Sequence, residues 1–272
     1  MVLLKRSSAR SAETGMNASL PDLVVLPTAD ALADEAARRF ALLAATAIAA
    51  RGKFIVALSG GSTPKALFAR LAAPPIAAGI DWSRVIVIWG DERCVPPDDA
   101  ASNYRMAREA LLDHVAVPAT QVRRIRGEYS PAGAAANYNA MLHDLLDAED
   151  GAPVGQTPAI DLILLGLGED GHTASLFPGE VTVHNATEWA AAATAPTVPA
   201  DRVTLTPAII NAAANVLFLV SGSVKAAMLH RVIEGPRTPH ELPAQLISPI
   251  SGHGCWLIDA AAATGLERGA TV

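Results

Sequence analysis

The chain has few aromatic and charged side chains and almost no cysteine, and each shortage removes a class of protein. Of its 272 residues, 4% are aromatic and 18% are charged, whereas 51% are hydrophobic. The two cysteines, Cys94 and Cys255, are too few for a disulfide framework and have no metal-ligand spacing. We therefore expect a core of Ala, Val, Leu and Ile that depends on neither disulfides nor a structural metal.

Basic residues are also in deficit, with a formal net charge of −6. Nucleic-acid-binding proteins usually show a basic patch, and none is visible here. No apolar stretch reaches the roughly 18 residues of a membrane span. Lys5, Arg6 and Arg10 are not followed by an apolar run of signal-peptide length. We expect a cytoplasmic, enzyme-sized protein with no nucleic-acid or membrane partner. Its oligomeric state does not follow from these features.

Strands and helices alternate through most of the chain, which is typical of an α/β domain with a mainly parallel sheet. Short apolar runs predict buried strands, whereas Asp30–Ala50 has apolar residues at helical spacing and ends before Gly52. Residues 1–21 are polar and small and predict a disordered tail. No change of composition divides residues 22–272, so we expect one domain there. The main strand candidates are Leu23–Leu26, Phe54–Leu58, Arg84–Trp89, Leu162–Leu165, Asn215–Val220 and Cys255–Ile258.

Local patterns predict several shorter elements as well. A strand is predicted over Arg202–Thr206 and a short one over Val122–Ile125. Helices are predicted over residues 103–115, 131–146 and 207–214, and Thr173–Phe177 is compatible with another. Polar or Pro-rich composition predicts a loop over residues 147–158 and irregular structure over residues 180–200.

The stretch Asp161–Gly179 organises the rest of the chain. A buried strand is followed by three glycines within six residues, and among them stand Glu169, Asp170 and His172. Ligands of open α/β sheets bind outside the carboxyl ends of the strands, where such a loop would lie. An imidazole exchanges protons near neutral pH, so the cluster predicts acid–base chemistry. The pattern alone is also typical of a tight turn with a surface histidine.

Two other strand ends carry features of an anion site. The loop Ser59–Pro64 is rich in glycine and leads into a predicted helix, with Ser62 or Thr63 as its cap. Lys225 stands in the first turn of another predicted helix, where a cation is disfavoured unless an anion binds nearby. An ordinary capped turn and a solvated lysine are the alternatives. The loop is not a P-loop, because the GxxxxGK[ST] spacing is absent.

A third strand end carries charges of both signs. Asp91, Glu92 and Arg93 follow the apolar run Val85–Trp89, with Gly90 between them. We interpret Arg93 as a phosphate ligand and Asp91 or Glu92 as a group that orients a base or a sugar hydroxyl. A solvated loop is the alternative.

Other catalytic classes fit the sequence less well. The glycines at 166, 168 and 171 match the dinucleotide fingerprint, but Glu188 does not end an apolar strand as that motif requires. The seven histidines show no HExxH spacing. Gly60-Gly61-Ser62 does not supply the GxSxG elbow of a hydrolase. The remaining interpretation is proton-transfer or hydrolytic chemistry on a small phosphorylated molecule.

Five motifs together resemble those of the 6-phosphogluconolactonases. They occur in that family's order and span residues 22–235, and the wider superfamily includes glucosamine-6-phosphate deaminases and ribose-5-phosphate isomerases. The resemblance implies a Rossmann-like three-layer α/β fold without a nucleotide and with no metal or organic cofactor. It also implies hydrolysis of 6-phospho-D-glucono-1,5-lactone, the second step of the pentose phosphate pathway. The motifs are SGGSTPKALF, IWGDERCVPPDDAASNY, LGLGEDGHTASLFPG, RVTLTPAIIN and FLVSGSVKAAML.

The resemblance also assigns roles to residues. His172 corresponds to the catalytic histidine, with Asp170 in the same motif, and Arg202 to the arginine of RVTLT. We expect His172 to activate water, Asp170 or the Asp91/Glu92 pair to orient it, and loop amides around residues 166–171 to hold the oxyanion. The positions that hold phosphate in the family are Ser59, Gly60, Gly61, Ser62, Arg93 and Lys225.

Two alternatives remain on the same fold. One is a glucosamine-6-phosphate deaminase or sugar-phosphate isomerase, although Phe177 stands where the deaminases have a glutamate. The other is a non-enzymatic phosphosugar sensor, which would need a DNA-binding module that this chain has no room for outside the core.

Overall fold

The computed structural model describes residues 22–150, 160–180 and 188–267, and for residues 147–150 it describes the backbone only. The predicted tail, residues 1–21, and residues 151–158 of the predicted loop lie outside these ranges. The single-domain organisation of residues 22–272 stays a prediction.

A six-stranded parallel sheet forms the centre of the protein, as predicted. Its strand order is β1-β9-β8-β5-β2-β3, and every neighbouring pair is parallel. All residues of β2 and β5 are buried, which explains why these strands read as continuous apolar runs. The strands are β1 (Asp22–Leu26), β2 (Phe54–Leu58), β3 (Val85–Trp89), β5 (Leu162–Leu165), β8 (Asn215–Val220) and β9 (His253–Asp259).

The first helix illustrates how local sequence sets the boundaries of an element. The Thr28 hydroxyl accepts a hydrogen bond from the Ala31 amide (3.1 Å), and Gly52 ends the helix with φ 74°. Its buried face packs against β1, β2 and β9. The helices are α1 (Ala29–Arg51), α2 (Ser62–Ala72), α3 (Ile76–Gly79), α4 (Asn103–Ala110), α5 (Pro131–Asp150), α6 (Pro207–Asn211) and α7 (Ala226–Ile233).

A second, three-stranded antiparallel sheet contains segments that were not predicted as strands. It has the order β4-β7-β6, with β4 (Asp91–Arg93), β6 (Ala190–Thr194) and β7 (Asp201–Leu205). The charged segment 91–93 was interpreted as the carboxyl end of the third strand, with a solvated loop as the alternative. Residues 180–200 were predicted to be irregular; residues 190–194 instead form β6, and residues 181–187 lie outside the described ranges. Three charged residues and a run of alanines lack an apolar strand pattern, so only the pairing with β7 makes them strands.

Several shorter predictions also need correction. Val122 makes one isolated bridge to Val87 and residues 122–125 form no strand. Residues 173–177 form a turn closed by a bridge between Thr173 and Leu176, not a helix. The α4 helix ends at Ala110, α5 continues to Asp150 and α6 ends at Asn211.

The topological switch point of the large sheet lies between β2 and β5, where the direction in which successive strands are added reverses. The chain steps from β2 to β3 on one side, whereas β5, β8 and β9 follow on the other side. Loops that leave β2 and β5 therefore diverge and open a crevice at the carboxyl edge. Gly90 connects the two sheets there, because its amide bonds to the Leu58 carbonyl of β2 (2.8 Å) and its carbonyl accepts from the Leu205 amide of β7 (2.8 Å).

Candidate active site

A cleft of about 530 Å³ lies at this crevice and collects most of the predicted site residues. The loops after β2, β5 and β8 and the strand β4 form its walls. Of the predicted residues, Arg202 and Glu92 are absent from the lining. Those present are Ser59, Gly60, Gly61, Ser62, Asp91, Arg93, Asp170, His172 and Lys225.

His172 and Asp170 form a hydrogen-bonded pair in this cleft. The Nδ1 atom of His172 lies 2.5 Å from Oδ1 of Asp170, and the His172 amide donates to the same oxygen (3.1 Å). Burial alone would raise the pKa of Asp170, but the hydrogen bond and charge of His172 outweigh it and lower that pKa. An ionised Asp170 keeps the proton on Nδ1 and leaves Nε2 as the basic nitrogen. Of the carboxylates considered, Asp170 is the one that holds the imidazole.

Gly168 is the residue that allows this pair to form. A Cβ at Gly168 would stand 2.1 Å from Nδ1 of His172 and 2.6 Å from Oδ1 of Asp170. Any larger residue would therefore displace both groups. Close packing of the pair therefore requires glycine at position 168.

The amides of this loop are only partly available to an oxyanion. The Gly168 amide bonds to the His172 carbonyl (2.8 Å) and the Gly171 amide to the Gly168 carbonyl (3.2 Å). Together with the His172 amide, which bonds to Asp170, these donors are already used. The predicted hydrogen bonds to an oxyanion therefore fall on the other amides of the loop 166–171, and not on those of Gly168 and Gly171.

Two cations face the cleft from different elements. Lys225 lies at the start of α7, and its Nζ is 3.7 Å from Oε1 of the exposed Glu169. Arg93 is half-buried and donates through Nη1 to the Ala101 carbonyl (2.8 Å), while its buried Nε has no partner among the described residues. Guanidinium and ammonium groups are donors only, so both are suited to bind phosphate.

The glycine-rich loop after β2 leads into α2 as predicted, but its cap differs. The helix begins at Ser62 with Gly61 as N-cap (φ 102°), and no side chain caps it. Ser62 and Thr63 are therefore not the caps. Uncapped amides at a helix N-terminus bind anions well, and here they face the same cleft as Arg93 and Lys225.

Asp91 and Glu92 have different roles. Glu92 is buried and accepts hydrogen bonds from the amides of Asn103 (2.7 Å) and Tyr104 (2.8 Å), so it anchors the start of α4. Burial raises its pKa even though these bonds oppose the shift. Asp91 lines the cleft, and its Oδ2 accepts from the Ser175 hydroxyl (2.7 Å).

Arg202 lies beside the cleft, outside its lining. Its Nη1 donates to the Pro199 and Asp201 carbonyls. Arg93 of β4 stands opposite Arg202 of β7 in the register of the two strands. Burial, and then the charge of Arg93, lower the pKa of Arg202. In this conformation it holds the turn between β6 and β7, whose Thr197 does line the cleft.

Several cleft residues escaped sequence reasoning. Asn103, Ser221, Thr197 and Ala174 line the cleft, and Ala174 has φ 49°, which is uncommon for a residue with a side chain. The sequence marks Asn103 only as a polar residue at the start of a predicted helix, and not as a residue of the cleft. Nothing in the local sequence indicates which way these side chains face.

The part of the chain that the structure describes shows neither a metal-binding cluster nor a membrane-spanning helix. It contains no group of three or more His, Cys, Asp or Glu side chains placed to hold a metal ion. None of its helices is long and apolar enough to cross a membrane.

A parallel α/β sheet whose crossover point holds two cations and an imidazole–carboxylate pair in one cleft defines a class of enzymes that act on small anionic substrates. The chain belongs to the family described as glucosamine-6-phosphate isomerases/6-phosphogluconolactonase, whose profile matches residues 27–256. This finding confirms the resemblance stated above.

Relatives and solved structures support the assignment. A 6-phosphogluconolactonase of Nostoc sp. is 40% identical over 82% of this chain and 88% of its own length. A probable chloroplastic 6-phosphogluconolactonase 3 of Oryza sativa is 37% identical over 90% of this chain and 76% of its own. The 6-phosphogluconolactonase structure from Trypanosoma cruzi is 29% identical, with a TM-score of 0.80 over 91% of this chain and 97% of that one. The predicted fold class is confirmed.

Proposed function

We propose that the chain hydrolyses 6-phospho-D-glucono-1,5-lactone to 6-phospho-D-gluconate, with His172 as the general base. The observation that carries the proposal is the His172–Asp170 pair within one cleft with Arg93 and Lys225. The 6-phosphogluconolactonases among the relatives support the substrate and the reaction. A cytoplasmic location, and the absence of a nucleic-acid partner, stay predictions.

In the proposed first step, Nε2 of His172 takes a proton from a water molecule while the water oxygen attacks the lactone carbonyl carbon. The carbonyl oxygen becomes an oxyanion, and Asp170 stabilises the imidazolium through Nδ1. Phe177 packs against the imidazole with ring centroids 4.7 Å apart and limits its rotation.

In the second step the tetrahedral intermediate collapses. The bond between the carbonyl carbon and the ring oxygen breaks, and the imidazolium returns its proton to that oxygen. Water has then been added across the ester bond, His172 is neutral again, and the new carboxylic acid releases its proton to solvent to give 6-phosphogluconate. The phosphate is remote from this bond, so its binding to Arg93, Lys225 and the loop 59–62 positions the carbonyl.

The direct test measures 6-phosphogluconate formation from freshly prepared lactone, in excess of spontaneous hydrolysis. The His172→Asn variant should lower kcat by roughly 10²–10⁴-fold with KM little changed, which is the usual contribution of a general base. His114→Asn is the matched control, since His114 is exposed and bonds to the Glu109 carbonyl outside the cleft. Near-parental turnover of folded His172→Asn would remove His172 from the mechanism.

A further inference from the structure

Asn103, the first residue of α4, is a buried amide in the wall of the cleft. It is 4% exposed, and it was not assigned a functional role by its sequence. Its Nδ2 donates to the Asp91 carbonyl oxygen (2.9 Å) and lies 3.4 Å from Oδ1 of Asp91. Both of these partners are acceptors, so the nitrogen of the amide must be the atom that faces Asp91. The amide oxygen is thereby turned the other way.

The freed oxygen points towards the glycine loop. A Cβ at Gly60 would stand 2.0 Å from Oδ1 of Asn103, so the absence of a side chain at Gly60 makes room for this oxygen. Within residues 22–150, 160–180 and 188–267, no hydrogen-bond donor to Oδ1 is found. Oδ1 is not fully enclosed by protein atoms and Asn103 lines the cleft, so a donor group of a ligand can reach this acceptor.

Asp91, which contacts Asn103 in the wall of the cleft, is likewise a hydrogen-bond acceptor. Asp91 also lines the cleft, and its carboxylate is fixed by the Ser175 hydroxyl and by Asn103. This wall therefore presents acceptors, whereas Arg93 and Lys225 present only donors. A phosphate group is all acceptor at neutral pH and is suited to the cations. Sugar hydroxyls can donate, so they are suited to the wall of Asn103 and Asp91.

We propose that Asn103 is a specificity-determining residue whose Oδ1 accepts a hydrogen bond from a ring hydroxyl of the phosphorylated sugar lactone. Asp91 holds the amide in the orientation that this contact needs. The inference rests on the proposed lactone hydrolysis and adds to it how the enzyme recognises the unphosphorylated part of its substrate.

The test compares Asn103→Ala with the parent on the complete 6-phospholactone and on 6-phospholactones that each lack one ring hydroxyl. The variant should lose roughly tenfold to a hundredfold in kcat/KM on the complete substrate, as for a hydrogen bond lost at a buried site. On the one analogue that lacks the contacted hydroxyl, the parent should be impaired by a similar factor. The variant should lose little more on that analogue, because the two deletions remove the same contact.

Asn139→Ala is the matched control. Asn139 is a half-buried amide on α5 that bonds to the main chain of Trp189 and Ala190 and does not line the cleft. Its loss should lower the midpoint of thermal unfolding without changing the preference among the analogues. A purely structural role of Asn103 would give this same pattern.

The outcomes separate the inference from the proposed function. If Asn103→Ala loses the same factor on every analogue, or if the parent hydrolyses all analogues as well as the complete substrate, the inference is wrong. The second comparison needs no variant, so it stands even if Asn103→Ala fails to fold. A parent protein that does not accelerate hydrolysis of the complete lactone would instead refute the proposed function, and the inference with it.

Discussion

Replacing Gly168 by alanine should damage catalysis through a single added methyl group. Gly168 does not have a positive φ, so alanine is compatible with its backbone. The new Cβ would lie 2.1 Å from Nδ1 and 2.3 Å from Cε1 of His172, whereas ordinary contacts begin near 3.4 Å. The imidazole and the Asp170 carboxylate must therefore separate from each other, or both must move away from residue 168, by about 1 Å.

The size of the effect follows from this displacement. A shift of about 1 Å in a catalytic group costs on the order of 10²-fold in rate, or about 2.7 kcal/mol in activation free energy. The loss should appear in kcat, because Arg93, Lys225 and the loop 59–62, which we propose to bind the phosphate, lie on other elements of the cleft. We expect KM to change little.

The assay is steady-state hydrolysis of fresh lactone, together with thermal unfolding to confirm that the variant folds. Gly166→Ala is the control, since it adds a methyl to the same loop where no atom lies within 4 Å of the new Cβ. It should lose less than about tenfold. If Gly168→Ala retains activity within about threefold of the parent, the contact between His172 and Asp170 does not support catalysis. An equal loss in both variants would show only that the loop tolerates no substitution.

Three further predictions concern the ligand. Arg93→Ala and Lys225→Ala should each weaken binding of inorganic phosphate by roughly 1.5–3 kcal/mol, as for a charged hydrogen bond, and binding measured by calorimetry at parental strength would contradict the assigned phosphate site. Activity should survive chelator and dialysis, since no metal or organic cofactor is expected, and restoration of lost activity by one divalent ion would overturn this. Glucosamine 6-phosphate should release no ammonia, because Phe177 can neither donate nor accept a proton, and steady deamination at the rate of lactone hydrolysis would move the function to the deaminase alternative.

The central strands show what local sequence can predict. Phe54–Leu58, Leu162–Leu165 and Asn215–Val220 are predicted with the bounds that the structure has. These strands are buried on both faces, so their apolar composition is itself the condition for folding. The end of α1 is predicted for a similar local reason, because Gly52 takes the left-handed conformation that closes a helix.

The small sheet shows where such prediction fails. Asp91–Arg93 becomes a strand through pairing with β7, which is distant in sequence, and Ala190–Thr194 through pairing with the same strand across the turn at residues 195–200. Neither segment has an apolar alternation of its own. The pairing energy between two strands leaves no periodic pattern in the sequence of either one.

Within the site, sequence alone determined which residue types stand at the carboxyl ends of the strands: the glycine loop at 59–62, Arg93, His172 and Lys225. The parallel sheet brings those ends to one edge, so their meeting in one cleft follows from the order of strands and helices.

Only the tertiary structure decided what each polar side chain does there. In the folded chain Asp170 bonds to His172, Glu92 accepts hydrogen bonds from the amides that begin α4, and Arg202 donates to a carbonyl in the turn between β6 and β7. The tertiary structure also turned the Asn103 oxygen into the cleft above Gly60. Three carboxylates within reach of one edge are equivalent in sequence, and they become different because hydrogen-bond direction and burial depend on neighbours that only the folded chain supplies.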